Sequence, residues 1–228
     1  KGHEIDQTFI KGIIGAMTVD QIVNNYITPY QLDSGTRVAD NDNGVLSSGK
    51  DYTDMEHKWD EGFGYLYGQD DQYDPLLGQG GLLNDYLAGV DATYAIGIAD
   101  AIYDAFKLGR AAIVAKDYTL RDEQAAIIKV ELSKVVGAKA ASYLRSGSGH
   151  VSNNNMASAF HSLSEGYGFI FSLQYTQKAD GSPYMTYDEV NAKLAELDAG
   201  NGFWDRTAAE LTAMADAIDA ATGINTNL

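Results

Sequence analysis

Three prolines in 228 residues constrain the fold of this chain more than any other feature. Pro29, Pro75 and Pro183 all sit in turn-like sequence. Proline is the residue that most strongly ends a helix, so the long stretches between the three can run as uninterrupted helix. Inside those stretches apolar residues recur at three- and four-residue steps, the period of one helix face. In IDQTFIKGIIGAMTVDQIVNNYI the row is Phe9, Ile13, Met17, Val19, Ile22, Val23 and Tyr26. Segments 93–117 and 119–145 behave the same way. Thr53-x-x-Glu56, Thr186-x-x-Glu189 and Thr207-x-x-Glu210 have the form of capping boxes, and Thr119-x-x-Asp122 is a near version. No alternating strand of useful length occurs. Segments 33–51 and 69–85, rich in Gly and Asp, read as loops. The pattern predicts an all-α bundle of about six or seven helices.

A second feature is a motif that occurs twice. Residues 56–68 read EHKWDEGFGYLYG, and residues 160–172 read FHSLSEGYGFIFS. Aligned on their histidines, both spell His-x-x-x-Glu-Gly-aromatic-Gly-aromatic. Each follows an amphipathic helix ending in a Tyr-aliphatic pair, NNYI at 24–27 and ASYL at 141–144. Each precedes a loop and an Ala-rich helix, IADAIYDAF at 98–106 and LTAMADAIDAA at 211–221. This order predicts one domain over 1–228, built from two duplicated halves, about 1–117 and 118–228, around a pseudo-twofold axis.

Residues four apart share a helix face. His57 therefore neighbours Glu61 with Tyr65 one turn on, and His161 neighbours Glu165 with Phe169 one turn on. Gly64 and Gly168 each cost about 1 kcal/mol relative to alanine in a helix interior, and a close helix crossing explains such a cost. The expectation is that the two motif helices cross at these glycines and turn both His-Glu pairs into one central cleft.

Composition narrows the chemistry. A formal charge of -16 argues against nucleic acid, which needs Lys and Arg contacts, and against electrostatic binding to anionic membranes. The absence of cysteine excludes disulfides, thiolate metal sites and cysteine nucleophiles. Apolar runs are too short to span a bilayer. The zinc-protease spacing His-Glu-x-x-His, the Gly-x-Ser-x-Gly elbow and the phosphate loop do not occur. DNDNG at 40–44 lacks EF-hand spacing and reads as Asx-turns. GRAAIVAKDYTLRDEQ at 109–124 reads as a solvated or ion-paired connector. His3 and His150 lie in polar surroundings and are expected at the surface. The chain begins Lys-Gly-His-Glu, without Met, and is read as a mature, trimmed or truncated product of a longer precursor.

Imidazole and carboxylate together suit a divalent or ferric metal ion. Two His and two Glu from facing helices are ingredients of a carboxylate-rich site in a bundle. His57, Glu61, His161 and Glu165 are the candidate metal ligands, with Asp60 a weaker fifth and Tyr65 and Tyr167 nearby. A hydrogen-bonded His-Glu pair inside a bundle is the other meaning of the same spacing, and both stay open at this point.

YTDMEHKWDEGFGYLYG, KLGRAAIVAKDYTLRDEQAAIIKVELSKV and FHSLSEGYGFIFSLQY, in this order, resemble an uncharacterised family of secreted Gram-negative proteins, often lipoproteins. That family has a His-x-Trp-Asp-Glu-Ala-Phe-Gly-Tyr hallmark. Gly62 stands where the family has Ala. The resemblance covers nearly the whole chain. It extends, more distantly, to imelysin-like proteins, which are all-helical, duplicated and associated with iron or haem uptake. The imelysin pattern His-x-x-Glu is not matched here: Asp60 precedes Glu61 after His57 and Ser164 precedes Glu165 after His161, so His57 with Asp60 or Glu61 is only the nearest match. The resemblance implies an extracytoplasmic location, a lipid anchor upstream of this segment, and a metal ion or metal chelate as ligand. Two alternatives accompany it: a structural or interaction module partnering an outer-membrane transporter or other surface protein, and a metal-dependent hydrolase.

Overall fold

The computed structural model describes residues 1–68, 77–79 and 81–227, and among these every regular element is helical. Helix α1 (Ile5–Ile13) continues into two wide π-helical stretches, Ile14–Val19 and Gln21–Tyr26. Two short helices follow, α2 (Pro29–Leu32) and α3 (Arg37–Asp42). Helix α4 (Asp54–Tyr67) carries the first motif. Next come α5 (Leu82–Thr93), α6 (Ile98–Ala115) and α7 (Tyr118–Ser152). Helix α8 (Met156–Ser172) carries the second motif, and α9 (Tyr187–Asp198) and α10 (Ala208–Thr222) close the chain.

The described residues thus form ten helices rather than six or seven. Local chemistry accounts for the extra breaks. Pro29 sits at the first position of α2, where its missing N–H costs nothing. The expected loop at 33–51 contains α3. In the expected loop at 69–85, helix starts at Leu82; residues 69–76 and 80, Pro75 among them, lie outside the described residues. The helix expected from 93 begins only at Ile98, because Gly97 takes a left-handed φ of 90°. Asp91 Oδ1 accepts there from the Gly97 and Ala99 N–H groups at 2.9 and 3.0 Å.

Helix α7 organises the core. Its 35 residues span about 52 Å at 1.5 Å per residue. Ile128, Leu132, Val135, Val136 and Leu144 along it are fully buried. Burial of each contributes roughly 1.5–3 kcal/mol. It packs against α6, α8 and α10, and α8 is held between α7 and α1. Helix α4 lies against the second π-helical stretch and α6.

The polar connector at 109–124 does specific work. Lys116 in a left-handed conformation ends α6, and the Asp117 side chain caps α7 by accepting from Leu120 N–H at 3.0 Å, so Thr119 is not the cap. Arg121, 1% exposed, donates to Asp33 at 2.7 Å and Asp122 at 2.8 Å. Among the described residues no helix is long and apolar enough to cross a membrane.

Candidate functional site

The first motif is built on α4, whose start is fixed by a complete capping box. Thr53 Oγ1 accepts from the Glu56 N–H, and Glu56 accepts from the Thr53 N–H at 2.6 Å. Burial works against the Glu56 charge, but the Thr53 N–H and Arg110 hold its carboxyl below the usual range. Arg110 from α6 reaches both Glu56 (2.7 Å) and Asp60 (2.9 Å). Asp60, the weaker metal candidate, is therefore an ion-pair partner. Trp59, 1% exposed, lies over Gly109 and donates its indole N–H to Phe106 O at 3.0 Å. His57 Nε2 stands 3.3 Å from Glu61 Oε1, and its ring stacks on Tyr52 with centroids 5.0 Å apart. Glu61 also accepts from Lys58 at 2.8 Å. Tyr26, at the end of the second π stretch, faces Tyr65 at 5.4 Å.

The second motif, on α8, is tied to more elements. His161 Nδ1 is 2.7 Å from Glu4 Oε2, and Nε2 is 3.6 Å from Glu165 Oε2. Its two carboxylate partners lie at opposite ring nitrogens and do not converge on one point. Glu165 is buried and pairs with buried Lys11 at 3.1 Å. Burial opposes the Lys11 charge, yet Tyr86 and Glu165 raise its pKa above the ordinary lysine range. Lys139 stands 4.5 Å from the Tyr143 ring centroid. Burial, with Tyr86 and Glu165 alongside, pushes the Tyr143 phenol far above its usual pKa.

The two motifs share packing as well as letters. A Cβ on Gly62 would meet Ile27 Cγ2 at 3.0 Å and Tyr26 Cβ at 3.3 Å. A Cβ on Gly166 would meet Tyr143 Cβ at 3.3 Å and Leu144 N at 3.7 Å. Each motif helix thus lays its first glycine on a Tyr-aliphatic pair of an earlier segment, the end of the second π-helical stretch for α4 and α7 for α8.

The second glycines differ, and they do not mark a crossing of the motif helices. Gly168 is wedged against α1, with Lys11 Cβ, Thr8 O and Gly12 N all within 2.8 Å of where a Cβ would stand. At Gly64 no described atom lies within 4 Å. His57 and Glu61 belong to one network, His161 and Glu165 to another. Among the described residues no three His, Asp or Glu side chains gather where a metal ion could be held.

What the open side of Gly64 faces is a cleft of about 500 Å³. Its walls include Ile13, Met17 and Gln21 from α1 and its π continuation, Tyr65 from α4, and Leu82 from α5. Met17, Tyr65 and Leu82 are exposed there. The walls are largely apolar, with Thr18 and Gln21 as polar points. A π turn inserts an extra residue and widens the backbone, a feature often found at functional sites.

Other residues take roles that spacing did not announce. His3, expected at the surface, is packed between Tyr167 (4.7 Å) and Phe203 (4.3 Å) and lies 2.7 Å from Asp198. Tyr167 donates to the same Asp198 at 3.0 Å, and burial together with Asp198 pushes its phenol up to about 12. For Lys11 a signal existed: a lysine inside the apolar run of α1 had to be paired to be buried.

The chain belongs to a family described as a domain of unknown function (DUF4856), whose model matches residues 1–225. No curated protein and no solved structure matches the chain.

Proposed function

We propose that this DUF4856 domain is an extracytoplasmic binding protein whose ligand, a compact and largely apolar organic molecule, sits in the cleft beside Gly64. A metal chelate falls within that class; a bare ion does not. The observation that carries this reading is the open face of Gly64. A helix-interior glycine costs about 1 kcal/mol relative to alanine, and where nothing packs against it that cost needs another reason. Leaving room for a ligand is such a reason. A volume near 500 Å³ lies within the roughly 300–1,000 Å³ of small-molecule sites. The link to iron or haem uptake rests on the imelysin resemblance. In this reading His57, Glu61, His161 and Glu165 brace the helices that shape the cleft.

Two titrations of the purified protein test it, one with haemin followed by absorbance and one with an apolar fluorescent probe. Saturable binding is expected for at least one of them. Gly64→Leu should weaken it tenfold or more, while His57→Ala changes it less than threefold. Unaltered binding by Gly64→Leu contradicts the assignment. Titration with Fe³⁺, Zn²⁺ and Cu²⁺ separates the bare-ion alternative: tight binding abolished by His57→Ala would restore it.

The two halves are proposed to descend from one duplicated unit. The support is the matched seating of Gly62 on Tyr26–Ile27 and of Gly166 on Tyr143–Leu144. Gly62→Leu and Gly166→Leu should then lower the unfolding midpoint comparably; a loss at only one position contradicts equivalence. The exposed row Ile5, Phe9 and Met17 along the first helical segment favours a second reading, an interaction module that presents this row to an outer-membrane transporter. Phe9→Ser should then abolish cross-linking to outer-membrane proteins without changing ligand titration. Cross-linking that persists removes that reading.

A further inference from the structure

Away from both motifs, a cavity of about 300 Å³ opens between the start of α2, the first half of α7 and residues 177–181. Ile27, Pro29, Ala125 and Ala126 give it an apolar wall, and Lys129 and Lys178 line it as well. Acidic residues outnumber basic ones 32 to 16 in this chain, so an ammonium group has no shortage of possible partners. Yet among the described residues Lys129 makes no hydrogen bond and no ion pair.

The two carboxylates that border the cavity are already engaged. Asp122 Oδ1 accepts from Arg121 Nε at 2.8 Å. Asp180 Oδ1 accepts from the Ser182 N–H at 2.9 Å and its hydroxyl at 2.6 Å. Burial, with Asp122 only partly opposing it, pushes the Lys129 amine below the ordinary lysine range. A half-buried cation without a counter-ion is costly, and an incoming anion removes that cost.

We propose that this cavity is an anion site for a small monocarboxylate with an apolar tail, its carboxylate on Lys129 and its tail against Ile27, Pro29, Ala125 and Ala126. The site is independent of the Gly64 cleft. The monocarboxylate class follows from the non-polar wall and from Asp122 and Asp180, which a multiply charged anion would also have to approach; Lys178, the second lysine lining the cavity, likewise makes no side-chain hydrogen bond or ion pair among the described residues.

The test is an amide-detected NMR titration of the full chain with benzoate, acetate and inorganic phosphate at constant ionic strength. Benzoate should shift the amides of Ala125, Ala126, Lys129 and Gly181 saturably, with acetate at least threefold weaker. Lys129→Met, which keeps the length and apolar stem of the side chain, should weaken benzoate tenfold or more. Lys129→Arg should retain it within threefold, which guards against a general loss of structure. No saturable shift with benzoate, or the same affinity in Lys129→Met, overturns the site. Phosphate binding as tightly as benzoate overturns the monocarboxylate assignment.

Discussion

One substitution, glycine to alanine, should have opposite signs at the second glycines of the two motifs. At Gly64 the added methyl meets no described atom within 4 Å. Alanine there recovers helix propensity, so Gly64→Ala should stabilise by about 0.8–1 kcal/mol. At Gly168 the methyl would stand 2.6 Å from Lys11 Cβ, 2.7 Å from Thr8 O and 2.8 Å from Gly12 N. Two of these three atoms are backbone of α1 and cannot swing aside. Overpacking of this kind costs roughly 1–3 kcal/mol, and contacts this short against backbone belong at the upper end. Against the same propensity gain, Gly168→Ala should destabilise by about 1–2 kcal/mol, so the two variants should differ by about 2–3 kcal/mol. Urea unfolding followed by circular dichroism reads this directly. In a domain of this size a thermal scan should show about 2–4 °C per kcal/mol, in opposite directions for the two variants. Shifts of the same sign and similar size would refute the reasoning, because the two glycines would then share one environment.

Further outcomes follow from the same contacts. Trp59→Ala removes a fully buried ring and its hydrogen bond to Phe106 O, and should lower unfolding stability by about 3–5 kcal/mol in urea titration; a loss under about 1 kcal/mol contradicts its place in the core. Thr53→Ala removes the α4 cap together with the Thr53 hydroxyl's hydrogen bond to Asn41 Oδ1 at 2.7 Å, and should cost about 1–2 kcal/mol by the same assay. The raised pKa values of Tyr143, Tyr167 and Lys11 mean that each binds its proton more tightly when folded. Their contribution is complete below about pH 10, near the unfolded phenol and lysine values, and declines as pH rises through the folded ones. For Tyr167 that is about 12. Urea midpoints measured from neutral pH upward should therefore hold until about pH 10 and fall beyond it; a midpoint that rises there contradicts the burial of these groups.

The helical character and the starts of α4, α9 and α10 were legible because they are local. All three threonine capping boxes form, at Thr53, Thr186 and Thr207. The His-Glu pairs at four-residue spacing were legible for the same reason, since a helix alone brings His57 to 3.3 Å from Glu61. Partners drawn from distant elements were not. Gly64 and Gly168 hold the same place in one motif, yet Gly168 is wedged against α1 while Gly64 opens on a cleft. That difference depends on where α1 lies, which no spacing within the motif encodes. The second partner of His161 is Glu4, far away in sequence, and His3 finds Asp198 and Tyr167 across a similar distance. The π-helical turns were invisible too, because an extra residue in a turn hardly disturbs a three- and four-residue apolar pattern.

Methionine-methyl NMR tests the cleft most directly. The five methionines include Met17, which lines the cleft, and Met55, Met156, Met185 and Met214, which do not. During titration with the ligand that binds in solution, occupancy of the cleft predicts that the Met17 methyl resonance shifts to saturation while the other four stay within linewidth of their starting positions. A saturated complex in which Met17 has not moved contradicts binding at Gly64.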